Sequence, residues 1–277
     1  MNCFYVITNR LKDADFRITN EIKSYIEQCG GTCILAQKDQ EGDIIPGTVP
    51  KDAECAIVLG GDGSLIRAAR NLKGYDIPIL GVNLGTLGYL TEVEPADCPR
   101  ALERLIREEV TVEARMMIEG SVNGHASNVS MNDIVVTRSG SLRVIHFDIY
   151  VNGVMLNSYR ADGVIISTPT GTTGYNLSAG GPIVEPTAQM LVITPICSHA
   201  LNTSSIVLSA EDQIEVVICE GRYGRQEQAS VTFDGLVTLP VVTGDRVVIR
   251  KSQDTTRLVR LNTESFMKIM REKMKGN

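Results

Sequence analysis

The chain has 277 residues, 43% of them hydrophobic, enough to bury a substantial core in one large or two modest domains. Its formal net charge of −6 argues against a broad basic face for nucleic acid or membrane surfaces, while leaving room for a local basic pocket. No apolar run is long enough to span a bilayer, and the opening Met1-Asn2-Cys3-Phe4-Tyr5-Val6-Ile7-Thr8 lacks the basic start and longer apolar core of a signal peptide, so a cytoplasmic location is expected.

Phe4 to Thr8 reads as a short apolar strand, followed by a helix whose stripe Ile22, Tyr25, Ile26 and Cys29 ends at Gly30-Gly31. Thr32 to Ala36 is a second strand, and Asp39 to Lys51, with Pro46, Pro50, Gly42 and Gly47, a loop. Cys55 to Leu59 has the unbroken apolar character of a buried parallel strand; Leu65, Ala68, Ala69 and Leu72 then recur at helical spacing. A strand at Ile77 to Val82 and a helix at Pro99 to Glu108 complete an alternation that predicts a doubly wound parallel sheet, with ligands at the carboxyl ends of its strands.

After about Val112 the pattern changes to strands that follow one another without obvious helices. Ile145, Phe147, Ile149 and Val151 alternate cleanly and run into Asn152-Gly153, a hairpin signal. Further strands are predicted at 134–136, 164–167, 191–193, 214–219, 231–233 and 247–249. The expected organisation is α/β plus all-β: a Rossmann-like domain over 1–112, a β-sandwich over 113–260, and a helix over 261–277, with Phe266, Ile269, Met270 and Met274 on one face, returning to the first domain.

The most informative stretch is Gly60-Gly61-Asp62-Gly63-Ser64, a glycine turn between strand and helix that carries an acid. Glycines admit a close ligand, and the helix N-terminus offers unpaired N–H groups to phosphate. A carboxylate there would repel phosphate, but it suits a base for an attacking hydroxyl or a partner of nucleotide-bound magnesium. The competing reading is an Asx-type turn capped by Ser64. Gly81 to Leu90 repeats the strand-to-glycine-loop pattern and could line the same cleft.

The segment from Ser167 to Pro182 is dense in hydroxyls and glycines and holds one aromatic, Tyr175, a composition suited to wrapping a polar planar ligand. Asn132-Asp133 opens a strand and could reach a base or ribose edge. The seven cysteines include no Cys-x-x-Cys pair and read as reduced packing residues. His125, His146 and His199 stand at no helical i, i+4 spacing, so no built-in zinc site is expected.

In order, Gly60-Gly61-Asp62-Gly63, Gly85-Thr86-Leu87-Gly88-Tyr89-Leu90, Asn132-Asp133, Thr168-Pro169-Thr170-Gly171-Thr172-Thr173-Gly174-Tyr175 and Ser178-Ala179-Gly180-Gly181-Pro182 resemble the bacterial NAD kinases over nearly the whole chain. The first motif is shared with phosphofructokinases and lipid kinases; the long threonine and glycine motif is the specific one. The resemblance implies phosphorylation of NAD at its adenosine ribose 2′-hydroxyl by ATP, with magnesium or another divalent cation bound with ATP, in a homodimer or homotetramer. By position it makes Asp62 the proton acceptor and Gly63 and Tyr89 nucleotide contacts. Asn132 and Asp133 fall at the NAD adenosine, and Arg143, Arg160 and Asp162 at further dinucleotide positions. Thr173, Gly174, Tyr175, Asn176, Leu177 and Ser178 fall on the loop around the adenine, and Thr170 is a further substrate-binding position. Asp133 is one methylene shorter than the family's usual Glu, and Leu236 stands where a Gln is common. Two rivals follow: a lipid kinase sharing the Gly-Gly-Asp-Gly turn, and a sensor that binds NAD or NADP without turnover.

Overall fold

The computed structural model describes residues 1–85, 88–140, 143–199, 204–261, 266–267 and 270–271. The chain divides into two compact units, one made of Met1–Ala114 and Thr256–Asn277, the other of Arg115–Thr255. Among the described residues no helix is long and apolar enough to cross a membrane.

The first unit opens with β1 (Cys3–Thr8), α1 (Arg17–Gln28) and β2 (Thr32–Leu35), then β3 (Cys55–Gly60), α2 (Asp62–Asn71), β4 (Ile79–Asn83) and α3 (Cys98–Ile106). Its strands lie parallel in the order β2-β1-β3-β4, with Tyr5 opposite Ile34 on one side and Ala56 on the other, and Ala56 opposite Ile79. Every residue of β1, β3 and β4 is buried, which is why those stretches read as unbroken apolar runs. Because side chains alternate along a strand, the sheet has two distinct faces. Leu80 and Val82 join Ile22 and Ile26 of α1 and Leu102 and Leu105 of α3 in one core. Gly81, between them, meets Leu65 of α2 so closely that a Cβ there would lie 2.8 Å from its methyl. Helices therefore cover both faces, as the doubly wound pattern requires.

Two local expectations need correction. Cys29 is exposed rather than part of the α1 stripe, because it is the C-cap, past the last full turn; Thr19 takes the buried place with Ile22 and Ile26. Ser64 does not cap α2: the N-cap is Gly61, in extended conformation, and Ser64 lies within the helix, its hydroxyl accepting from Asn9 Nδ2 at 3.0 Å. Of the C-terminal helix, residues 266–267 and 270–271 are helical, whereas Ile269, Met274 and most of that segment lie outside the described residues.

The chain passes into the second unit within β5 (Thr111–Val122) and leaves it within the fifteen-residue strand that ends it. In between come β6 (His125–Ser130), β7 (Asp133–Arg138), β8 (Ile145–Val151), β9 (Val154–Ala161) and β10 (Gly163–Ser167). A 3-10 turn (Thr170–Thr173) and α4 (Tyr175–Ser178) precede β11 (Met190–Ile196), β12 (Ile206–Ser209), β13 (Ile214–Ile218), β14 (Gln228–Phe233), β15 (Val237–Val242) and β16 (Arg246–Arg260). One sheet runs β12-β11-β10-β7-β14-β15, antiparallel throughout. The other joins β16, β13, β8 and β9, also antiparallel, with β5 paired to β6. Ile134, Val164, Ile166 and Phe233 of the first sheet and Phe147, Ile149, Val216 and Ile249 of the second share one buried cluster, the core of a β-sandwich. The Asn152-Gly153 turn links β8 and β9 with φ of 51° and 79°, the left-handed pair a two-residue hairpin needs.

The stretch after β10 is not purely loop. Pro169, with φ −55° and ψ −39°, starts a 3-10 turn that passes into α4, a conformation its glycines and threonines disguise in the sequence. All seven cysteines are free; Cys3, Cys55 and Cys98 are buried, but Cys29 and Cys197 are exposed and are not packing residues.

Candidate active site

In the first unit the register sets Thr8 beside Leu59 and Gly60 beside Asn83, so the segments after β1, β3 and β4 leave the same edge of the sheet. Asp62 is the first residue of α2, where the helix dipole favours its negative charge. Its Oδ2 accepts the Tyr89 N–H at 2.7 Å, and its Oδ1 accepts the Leu90 and Thr91 N–H groups at 3.1 and 3.2 Å and the Thr91 hydroxyl at 3.3 Å. This places the two glycine segments in one site. Gly88 permits the contact, since a Cβ there would fall 1.9 Å from Asp62 Oδ1. Thr86 and Leu87, between Gly85 and Gly88, lie outside the described residues.

A carboxylate offers about four lone-pair positions. Oδ2, with one backbone partner, retains capacity for a proton or a hard cation. Gly63 is exposed with open space where a side chain would be, leaving the start of α2 accessible. Tyr89 is half-buried; burial, and then the Asp62 charge, raise the pKa of its hydroxyl.

Lys12 supplies a cation that sequence reasoning missed. Its ammonium stands 3.2 Å from the point where a Gly61 Cβ would sit and 2.9 Å from that of Gly85, over both glycine segments. Asn9 anchors this β1 extension to α2: its N–H donates to Leu59 O at 2.8 Å and its side-chain amide to Ser64. Both follow a parallel strand at its carboxyl end, the one signal that could have found them.

In the second unit Asn132 and Asp133 sit where β7 begins, held by a second acid from a distant turn. The Asp234 carboxylate accepts the N–H groups of Met131, Asn132 and Asp133 at 2.7, 2.8 and 3.0 Å. Asp234 and Gly235 make the tight turn from β14 to β15, which Leu236 closes by donating its N–H to Phe233 O at 2.8 Å. Asp133 is 6% exposed, and burial, with the Asp234 charge second, pushes its carboxyl up to about 7. It can therefore hold a proton near neutral pH and donate a hydrogen bond.

Asn132 reaches the threonine and glycine segment directly. Its carbonyl accepts the Thr168 N–H at 2.9 Å, and its side-chain nitrogen lies 3.6 Å from where a Gly174 Cβ would be. Its Oδ1 is buried with no hydrogen-bond partner among the described residues, an acceptor that a ligand donor would satisfy. The threonines and the asparagine of the segment build the turn from inside. Asn176, fully buried, donates to Thr172 O at 3.2 Å and Pro182 O at 2.9 Å and accepts the Thr194 hydroxyl at 2.7 Å. Thr170, also buried, accepts from Arg115 at 3.4 Å, and the Thr173 hydroxyl donates to Thr170 O at 3.3 Å. Asn176 and Thr170 are thus scaffold rather than ligand-facing side chains. Tyr175 at 47% exposed and Leu177 at 40%, with Ser178, Gly180 and Pro182, are what the segment shows to solvent.

The structure thus brings Asp62, Gly63 and Tyr89 together in the first unit, and Asn132, Asp133, Thr170, Thr173, Gly174 and Asn176 in the second. Asp162 is engaged elsewhere, 2.8 Å from the Arg138 guanidinium. Arg160 is exposed on β9 opposite His146, and Arg143 is exposed next to residues 141–142, which lie outside the described residues.

Comparison with known proteins bears on both units. Residues 6–110 match the ATP-NAD kinase N-terminal domain, and residues 131–261 the ATP-NAD kinase C-terminal domain. The NAD kinase of Agathobacter rectalis is 46% identical over 284 residues, covering 100% of this chain and 99% of its own, and that of Lachnoclostridium phytofermentans 45% identical over 281, covering 99% of each. Two solved structures share the fold. Yeast NADH kinase complexed with NADH superimposes with a TM-score of 0.84 at 22% identity, over 100% of this chain and 88% of that one. An NAD kinase from Archaeoglobus fulgidus in complex with ATP does so with 0.79 at 24%, over 99% of each.

Proposed function

The chain belongs to the ATP-NAD kinase family, and on that premise we propose how its residues perform the family's reaction, the phosphorylation of NAD by ATP to give NADP. The observation that carries the reading is Asp62: a carboxylate fixed at a helix N-terminus, at the carboxyl edge of a parallel sheet, with one oxygen still able to accept a proton. The 2′-hydroxyl of the adenosine ribose gives its proton to Asp62 Oδ2 as its oxygen bonds to the γ-phosphorus. The bond from that phosphorus to the bridging oxygen breaks, and ADP leaves with the electron pair. The N–H groups at the start of α2 and the Lys12 ammonium stabilise charge on the phosphates.

The one position left on Asp62 Oδ2 is also a hard oxygen donor, and in the alternative to the proton-accepting role it fits magnesium or another divalent cation arriving with ATP. When bound, such an ion neutralises phosphate charge. Asn132 Oδ1 and the protonated Asp133 carboxyl supply an acceptor and a donor to the adenosine of NAD, and Tyr175 offers an exposed ring for its base. Arg143, Arg160 and Asp162 are proposed as outer dinucleotide contacts. We also read the chain as a homodimer or homotetramer; the support is Val154, Met155 and Leu156, exposed by 71, 52 and 37% on the edge strand β9.

A second reading of Asp62, favoured by its four hydrogen bonds, makes it only the clamp between the two glycine segments. Incubating the purified chain with NAD, ATP and magnesium and measuring NADP tests the function: a lipid kinase forms none, and a sensor binds NAD without turnover.

A further inference from the structure

His146 and Asp148 stand two residues apart on β8 and so share a face of the sheet, the outer one, since Ile145, Phe147 and Ile149 fill the core. Cys219 follows β13, and its N–H donates to His146 O at 2.9 Å, which continues the β13–β8 pairing and sets the thiol beside both side chains. His146 Nε2 lies 4.0 Å from Asp148 Oδ1, and the nitrogen, carboxylate and sulfur donors all lie within 4.8 Å of one another. All three are half-buried, shielded yet reachable from solvent.

The tautomer of His146 is fixed by its surroundings. Nδ1 lies 2.9 Å from Glu220 O, which can only accept, so Nδ1 carries the hydrogen and Nε2 keeps its lone pair, 4.0 Å from Asp148 Oδ1. That is how metal-binding histidines are oriented, with the outer N–H donated to a carbonyl or carboxylate. The Nε2 lone pair accepts the Ser158 hydroxyl at 2.8 Å, so the Ser158 side chain must turn away before Nε2 binds a cation.

We propose that His146, Asp148 and Cys219 form a binding site for a thiophilic divalent cation of the zinc class, joining β8 to the end of β13. Nitrogen, oxygen and sulfur donors together suit zinc rather than magnesium or calcium. Zinc bond lengths put tetrahedral ligands about 3.3–3.6 Å apart, so side-chain rotation brings the donors into range. Three protein ligands leave a fourth position for water or a small anion. The sequence hides this site because its histidine and aspartate follow strand rather than helix spacing and its cysteine comes from a distant strand.

The test uses the full-length protein freed of metal with a chelator, titrated with cobalt(II) as a spectroscopic probe and with zinc by calorimetry. One equivalent of cobalt should give a tetrahedral spectrum with a thiolate charge-transfer band, and one equivalent of zinc should displace it and raise the melting temperature. Since losing an outer partner alone weakens metal sites by about 10–100-fold, Cys219→Ser and His146→Gln should lose at least that much affinity. Circular dichroism without metal establishes that both variants fold. Cys219→Ser keeps the other six cysteines, so a thiolate band that persists in it overturns the proposal, as does a wild-type protein that binds no stoichiometric cobalt.

Discussion

The Tyr89 N–H donates to Asp62 Oδ2 at 2.7 Å, so the proposed base also holds the second glycine segment against the first. In Asp62→Asn one oxygen becomes an NH2 group, which cannot accept a proton and faces backbone donors. NADP formation should fall on the order of 10²–10⁴-fold, and the melting temperature should fall too. A variant that loses stability but keeps near-wild-type turnover reduces Asp62 to a clamp.

Lys12 is exposed, and removing its charge should leave stability within about 0.5 kcal/mol. Lys12→Met should raise the KM for ATP, or lower kcat, by roughly tenfold or more if the ammonium meets phosphate. Steady-state kinetics with ATP varied decide it; unchanged constants remove Lys12 from the site.

Tyr175 should contribute through its ring. Base–aromatic stacking is worth about 1–3 kcal/mol in nucleic-acid complexes, so Tyr175→Ala should weaken NAD binding by roughly tenfold or more and Tyr175→Phe scarcely at all. Titration of NAD against both variants separates ring from hydroxyl, and equal losses point to the hydroxyl.

The buried Asp133 predicts a pH dependence of stability. Its folded pKa of about 7 lies above the ordinary 3.8, so the folded chain keeps a proton that the unfolded chain has released. Its contribution is full below about pH 4, declines as pH rises and is lost above about 7. Asp133→Asn should flatten the dependence of melting temperature on pH across that window and be the more stable protein at pH 8. Parallel slopes for the two proteins would show that Asp133 ionises normally.

The proposed homodimer or homotetramer should fall to a monomer in light scattering when Val154 and Leu156 are replaced by Asp, without lowering the melting temperature of the sandwich, because both side chains are exposed within the chain. An unchanged mass removes β9 from the interface.

The Gly60 to Gly63 turn was legible in the sequence because its signals are local: a continuous buried strand, glycines, and a helix that starts on the acid. The Asn152-Gly153 hairpin and the alternation of β8 were legible for the same reason. Strand β9 was not, since five of its eight residues are exposed in succession and no period-two pattern survives. Lys12 and Asp234 escaped because their roles depend on which distant segments the sheets bring beside them. The 168–182 segment was located, but its inner and outer residues were not told apart. A threonine that builds a turn and one that meets a ligand have the same composition, and only the burial of Asn176 beside the exposure of Tyr175 distinguishes them.

The passage of the chain through β5 and β16 also bears on its synthesis. The second unit is one continuous segment, complete once Thr255 has left the ribosome. The first is not, although it holds the N-terminus: Leu258 pairs with Ile79 of β4, and Val259 and Leu261 belong to its core. During translation, therefore, the β-sandwich can close while the parallel sheet of the first unit still lacks its last strand. The unit whose synthesis begins first is the one whose last strand is made last.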